Sequence, residues 1–203
     1  MNSVRFCGGV IEPSKVICIG RNYVDHIAEL GNEVPDSMVV FVKPNSAISE
    51  QLRSGQAEEH HYETEICFLF EKGAFRGVGV GIDVTRRGLQ KTLKSKGLPW
   101  ERSKAFDGSA LFSEFVPYVG EEMNLGLELV LNGQIAQRAD ANLMIHSPAA
   151  ILEEVQSFMT LEEGDLVMTG TPAGVGAFFS GDRLMARLLS SGEVLAEREW
   201  LAA

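Results

Sequence analysis

Glu63 and Glu65 stand two residues apart in the run Tyr62-Glu63-Thr64-Glu65-Ile66-Cys67-Phe68-Leu69-Phe70. The run is rich in aromatic and β-branched residues and too short for a typical helix, so it predicts a strand. Alternate side chains on a strand share a face, which puts the two carboxylates roughly 7 Å apart at a rise of ~3.3 Å per residue. Buried together and unpaired, they repel and force at least one to protonate. A hard divalent cation between them removes that cost, and oxygen-only ligation suits Mg²⁺, Mn²⁺ or Ca²⁺ better than zinc. A third carboxylate, Asp83, ends a second strand-like run, Gly81-Ile82-Asp83-Val84-Thr85. Taken alone, the Glu-x-Glu pattern fits an edge strand with two solvated glutamates better.

His26 and Glu29 lie three residues apart in a short helical segment and share a face. A histidine oriented by a glutamate is a general-base arrangement able to activate water; a surface charge pair has the same spacing. Arg86, Arg87 and Gln90 fall in the first turns of a helix directly after Asp83. An arginine there can grip a substrate carboxylate with two parallel hydrogen bonds. Gly170 to Gly176 suggests close backbone approach to a ligand or a tight turn, but it lacks the Gly-Lys-Ser/Thr ending of a phosphate loop. Gly77-Val78-Gly79-Val80-Gly81 reads as a glycine-rich strand and not as a dinucleotide fingerprint. His60-His61 has no matching histidine or cysteine set, so a zinc site is not expected.

The elements that must position these groups follow from periodicity and punctuation. Lys15 to Gly20 and Val39 to Lys43 read as buried strands, the second stopped by Pro44. Asn22 to Leu30 reads as a short helix closed by Gly31. Ser49 to Glu59 is polar and predicts a loop. Strands follow at Glu63 to Phe70 and Gly77 to Val84, and Thr85 is positioned to cap a helix running to Lys96. On that helix Lys91, Lys94 and Lys96 read as the wet face. Leu125 to Leu131, Asn132-Gly133 and Ile135 to Arg138 spell a hairpin. Ser147-Pro148 starts a helix whose stripe Ile151, Leu152, Val155, Phe158 and Met159 predicts a core face. Strands outnumber helices without a regular alternation, which favours an α+β class.

The chain has 203 residues, 45% hydrophobic and 23% charged, with a formal net charge of −10. That length allows one substantial domain or two small ones, with room for a sizeable core. The acidic balance with no offsetting basic block argues against nucleic acid and anionic membranes as partners. No segment approaches the ~20 apolar residues a membrane span needs. The start of the chain lacks the apolar core of a signal peptide, and three cysteines without a CxxC read as reduced thiols. The expected location is the cytoplasm.

Taken together, the segments resemble the fumarylacetoacetate hydrolase family. The matching pieces are Ile19-Gly20-Arg21-Asn22-Tyr23 with Asp25-His26 and Glu29; Phe41-Val42-Lys43-Pro44; Tyr62-Glu63-Thr64-Glu65; Gly81-Ile82-Asp83-Val84-Thr85-Arg86-Arg87; Lys96-Gly97-Leu98-Pro99-Trp100; Lys104-Ala105-Phe106-Asp107; and Leu161 to Asp165 with Thr169 to Gly176. They occur in the family's order and look most like its short single-domain branch of acylpyruvate hydrolases and oxaloacetate decarboxylases. The stretch Lys104 to Ala110 ends in smaller residues than the family's common version, which leaves pocket shape open.

The resemblance implies a mixed β-sandwich roll forming one catalytic domain over 1–203, assembled as a homodimer. It implies Mg²⁺ or Mn²⁺ on Glu63, Glu65 and Asp83, a water-activating pair in His26 and Glu29, and a catalytic lysine in Lys104. Arg21, Arg87, Gln90 and Thr171 match its substrate-binding positions. The implied substrate is a small 2-oxo (di)carboxylic acid, cleaved at a C–C bond through a metal-stabilised enolate by hydrolysis or decarboxylation. An isomerase of the hydroxyhepta-diene-dioate type and a non-catalytic binding protein on the same fold stay open beside it. The His26 helix, short and followed by Gly31, is expected to act as a lid.

Overall fold

The computed structural model describes residues 1–31, 33–55, 58–120 and 123–203. A seven-stranded mixed sheet runs in the order Val116–Pro117, Ala74–Asp83, Thr64–Glu71, Leu166–Met168, Lys15–Gly20, Val39–Pro44, with Ala110–Phe112 added along Ala74–Asp83. Its one parallel pair joins Leu166–Met168 to Lys15–Gly20. A four-stranded antiparallel sheet, in the order Gln134–Asp140, Leu125–Leu131, Arg183–Ser190, Glu193–Leu201, covers one face. A small third sheet joins Gly176–Phe178, His60–Tyr62 and Thr85–Arg86. Helices are few and short, as the α+β reading requires.

The central strands are apolar on both faces because both faces are covered. Ile17, Ile19, Ile66, Phe68, Val80 and Ile82 point toward Leu127, Leu129, Leu184 and Leu188 of the second sheet. The alternate residues Val16, Cys18, Cys67, Leu69 and Met168 pack on Phe112 and Phe115. Gly79 and Gly81 belong to this second face. A Cβ at Gly81 would lie 2.6 Å from the Leu111 carbonyl oxygen, and one at Gly79 would lie 3.3 Å from the Phe115 ring. The glycine-rich run is thus a strand whose missing side chains admit neighbouring backbone and rings. Cys18 and Cys67 are buried, Cys7 is exposed, and all three are free thiols. Among the described residues no helix is long and apolar enough to cross a membrane.

The structure redraws several boundaries. The run from Tyr62 to Phe70 is broken at Glu63: His60–Tyr62 joins the small third sheet, and Thr64–Glu71 joins the large one. Thr85 does not cap the following helix. It pairs with His61 in a strand, and the helix Arg87–Ser95 starts without a side-chain cap. The threonine hydroxyl is instead held beside Lys104. Gly97 follows that helix in the left-handed region, with φ of 61°. Ser147 caps Pro148–Phe158 as expected, but of the predicted stripe only Ile151 and Val155 are fully buried. Phe158 is 57% exposed, because the helix ends there and the chain leaves extended at Met159. The described part of the polar stretch from Ser49 to Glu59 forms no helix or strand, and its residues 56 and 57 lie outside the described residues.

Asp165 ties the first long strand to the loop that precedes Leu166–Met168. Its Oδ1 accepts the Ser14 and Lys15 backbone N–H groups at 3.0 and 3.1 Å and the Ser14 hydroxyl at 2.7 Å, and its Oδ2 faces Lys15 Nζ. Burial works to raise the Asp165 pKa, but the bonds from Lys15 and Ser14 outweigh it and hold the carboxyl below its ordinary range. A depressed acid stabilises the fold above its unfolded pKa, near 3.9, and loses that contribution as pH falls through its lower folded value. Asp165→Asn is expected to cost about 1.5–3 kcal/mol above pH 5 and much less near pH 3. Urea unfolding at several pH values measures this; a loss independent of pH would assign the effect to packing.

Candidate functional site

Three carboxylates converge where the two longest central strands begin and end. Glu65 is the second residue of Thr64–Glu71 and sits opposite Gly81 in the ladder. Asp83 is the last residue of Ala74–Asp83, and its N–H donates to the Glu63 carbonyl at 2.8 Å. Glu63, Glu65 and Asp83 are all buried, and one carboxylate oxygen from each lies within 4.8 Å of the other two. The spacing rule that placed Glu63 and Glu65 on one face holds across the strand break.

Buried lysines answer part of this charge. Lys104, from the short helix Glu101–Lys104, donates from Nζ to Glu63 Oε2 at 2.7 Å, Asp83 Oδ2 at 2.6 Å and Thr85 Oγ1 at 2.7 Å. These satisfy all three of its donors. Burial works to lower the Lys104 pKa, but Asp83 and Glu63 more than offset it, so the amine stays an ammonium. Lys43 approaches Asp83 Oδ1 to 2.9 Å and also donates to the Lys104 carbonyl and Ser109 Oγ. Arg87 pairs with Glu63 and donates to Gln90 Oε1 at 2.8 Å. Burial pushes the Glu63 carboxyl up, yet Lys104 and Arg87 hold it well below its ordinary range.

Glu65 is the exception. Its Oε2 accepts the Gly170 N–H at 2.7 Å, but among the described residues it forms no ion pair. Burial, with Asp83 and Glu63 beside it, raises its pKa well above the carboxylate range. An acid so placed gains most from a cation shared with its two neighbours. The donor set fits a hard divalent ion: three carboxylates, all oxygen, with no sulfur or imidazole among them.

The helix Val24–Glu29 covers this cluster. His26 is buried, and its Nδ1 lies 3.4 Å from Glu29 Oε2. Burial lowers the imidazole pKa and outweighs the opposing pull of Glu63 and Glu29, so the ring is neutral at neutral pH. Glu29 is latched from the other side, accepting the Gly174 N–H at 3.1 Å. Gly174 has φ of 96°, and a Cβ there would come within 2.2 Å of the Ala136 carbonyl oxygen. The Gly170 to Gly176 loop therefore brings its backbone close to Glu65 and Glu29. Before the helix, Asn22 is pinned by bonds to His146 and Thr169, and Arg21 takes a left-handed φ of 58°.

Arg21, His26, Arg87, Gln90, Lys104 and Thr171 line one cavity with the triad, so the structure brings every expected site residue except Glu29 to its wall. Glu29 reaches it through His26. Two placements differ from the simplest reading. Thr171 Oγ1 already donates to the Thr64 carbonyl and accepts from Gln137 Nε2, so its hydroxyl fastens the loop. Arg86 turns away to pair with Glu58 and stack over Phe106. Sequence reasoning passed over three further residues. Gln137 donates from a neighbouring sheet, a contact with no local signature. Lys43 is fully buried, and its signal was a lysine inside Val-Val-Phe-Val-Lys-Pro. Lys94 belongs to the cavity wall and not to a wet face; its signal was the helical spacing from Arg87 and Gln90.

Lys43→Met is expected to destabilise the protein by about 3–5 kcal/mol, because it leaves Asp83 short of a buried partner and strips a donor from Lys104 and Ser109. Chemical denaturation measures this, and a loss under about 1 kcal/mol would remove Lys43 from the network.

The fold and site define a β-roll protein with a buried, lysine-braced triple-carboxylate centre beneath a short helix. The chain belongs to the fumarylacetoacetate hydrolase family: residues 15–199 match the model of the fumarylacetoacetate (FAA) hydrolase C-terminal domain. It is 38% identical over 190 residues to the oxaloacetate tautomerase YcgM of Escherichia coli (strain K12), covering 84% of this chain and 86% of that protein. It is 39% identical over 199 residues to the mitochondrial oxaloacetate tautomerase oaa1 of Schizosaccharomyces pombe, covering 88% and 90%. The fumarylpyruvate hydrolase of Pseudomonas aeruginosa, solved in complex with Mn²⁺ and pyruvate, superposes with a TM-score of 0.89 at 31% identity, covering 100% of this chain and 95% of that one. These relatives are enzymes acting on small molecules.

Proposed function

We propose that this protein is a divalent-metal-dependent enzyme that enolises short 2-oxo acids, with keto–enol tautomerisation of an oxaloacetate-type diacid as its main reaction. One observation carries the reading: a buried carboxylate, Glu65, that among the described residues forms no ion pair beside two others that do. Mg²⁺ or Mn²⁺ held by Glu63, Glu65 and Asp83 would supply Lewis-acid polarisation of the substrate's keto oxygen. The names of the relatives from Escherichia coli and Schizosaccharomyces pombe favour tautomerisation over cleavage.

The chain's own residues supply the rest. Tautomerisation removes the enol hydroxyl proton and adds a proton at the adjacent carbon, with no net change in composition. His26, neutral and buried against the cavity, can accept a proton at a ring nitrogen, and Glu29 orients the ring and stabilises its charged form. Lys104, kept as an ammonium, can donate a hydrogen bond where negative charge develops on oxygen. Arg21, Arg87 and Gln90 would bind the substrate from the wall. The cavity is partly open and measures about 30 Å³, room for water but not for a diacid. A diacid enters only if the Val24–Glu29 helix lifts, and the helix then shuts bulk water out.

A second reading, C–C cleavage of an acylpyruvate by water activated at His26, is supported by the likeness to the fumarylpyruvate hydrolase. Enol-oxaloacetate, oxaloacetate and acetylpyruvate assayed in parallel separate the two. Fast loss of enol absorbance with little pyruvate formed supports the tautomerase, and acetylpyruvate cleavage as the fastest reaction replaces it with the hydrolase. The proposal extends to a cytoplasmic homodimer. Sedimentation tests the assembly.

A further inference from the structure

The cavity wall carries more positive charge than the triad needs. Arg21, Arg87, Lys94 and Lys104 face Glu63, Glu65 and Asp83, in a chain whose net charge is −10. Arg87 and Lys104 are committed to the triad. Lys94 is not, since no carboxylate pairs with it among the described residues. It lies four residues beyond Gln90 and seven beyond Arg87 on the helix Arg87–Ser95, so the three side chains form one stripe down the wall. Seven residues span about 10 Å of helix, and helical side chains lean toward the N-terminus. The Lys94 side chain therefore leans back along the wall toward Gln90.

Lys94 Nζ lies 4.5 Å from the centroid of Trp100, whose ring also lines the cavity. The indole holds a cation without neutralising it. Burial, and Arg21 next, lower the Lys94 pKa to about 8 against an opposing pull from Glu63, so the amine is mostly protonated at neutral pH. A solvated surface lysine would show neither the stacking nor the crowding by like charges.

We propose that Lys94 is the specificity residue for the substrate's distal carboxylate, so that the site selects short dicarboxylic 2-oxo acids over their monocarboxylic counterparts. The assignment rests on the 2-oxo-acid reading above. The 2-oxo carboxylate lies at the triad end, and the second carboxylate reaches Lys94, where a charge-assisted hydrogen bond replaces the repulsion among Lys94, Arg21 and Arg87.

Titration calorimetry of the Mg²⁺-loaded protein tests this with two probes. β,β-Difluorooxaloacetate is a dicarboxylic 2-oxo acid with no β hydrogen to enolise, and pyruvate is a monocarboxylic 2-oxo acid. Lys94→Met is expected to weaken the diacid by ~10–100-fold, the worth of one hydrogen bond to a charged group, and pyruvate by less than about threefold. Lys94→Arg, which keeps the charge, should hold the diacid within about fivefold of the unaltered protein. Equal changes for both probes, or none for the diacid, overturn the assignment while leaving the 2-oxo-acid reading intact. An unaltered protein that binds neither probe overturns both.

Discussion

Excess EDTA is expected to abolish turnover of oxaloacetate or acylpyruvate, with a loss of at least ~10³-fold, and added Mg²⁺ or Mn²⁺ to restore it. The basis is charge. Lys104, Lys43 and Arg87 neutralise Glu63 and Asp83, while Glu65 keeps a single backbone donor. A second readout needs no substrate. The metal-free protein buries a carboxyl whose pKa is raised by burial and by Asp83 and Glu63. An acid with a raised folded pKa costs nothing below its unfolded pKa, near 4.3, and costs progressively more as pH rises from there toward the folded value. The metal offsets that cost, so the gain in melting temperature on adding Mg²⁺ should be larger at pH 8 than at pH 5. Glu65→Gln should abolish the gain while leaving the metal-free protein at least as stable. Full activity in EDTA, with no thermal shift at either pH, would end the metal reading.

His26→Ala should cut acylpyruvate hydrolysis by the ~10²–10⁴-fold typical of a lost general base. Reactions that need no attacking water should fall less if His26 acts on water alone. The geometry supports a base: the ring is buried and neutral, its Nδ1 faces Glu29, and Glu29 is held by the Gly174 N–H. Equal losses in hydrolysis and tautomerisation would show that His26 moves the substrate's own proton or positions it. An unchanged rate in both would remove the Val24–Glu29 helix from the chemistry and leave it as a cover. Glu29→Gln, which keeps an acceptor but drops the charge, should cost less than loss of the imidazole, since Glu29 works through His26.

Much of this was legible in the chain. Alternation placed Glu63 and Glu65 on one side of the backbone, and that rule is local, set by the two-residue period of extended chain. The strands Lys15–Gly20 and Val39–Pro44, the Asn132-Gly133 hairpin and the Ser147 cap were equally local. The ordered motifs carried the family. The reading missed where the answer lay in another element. Thr85 looked like a cap because its neighbours form a helix, but pairing with His61 and the demand of Lys104 for a third acceptor took it into a strand. Lys94 looked solvated because its neighbours Lys91 and Lys96 are, yet Trp100 and the cavity lie on its side of the helix.

The sequence by itself determined the donor types, their spacing and the elements that carry them, because those depend on near neighbours along the chain. Only the tertiary structure decided which charges are answered. Lys43 and Lys104 come from elements distant in sequence to meet Asp83, and no cation among the described residues pairs with Glu65. Electrostatic balance in a buried site depends on distance through space and on exclusion of water, and neither is written in the order of the residues.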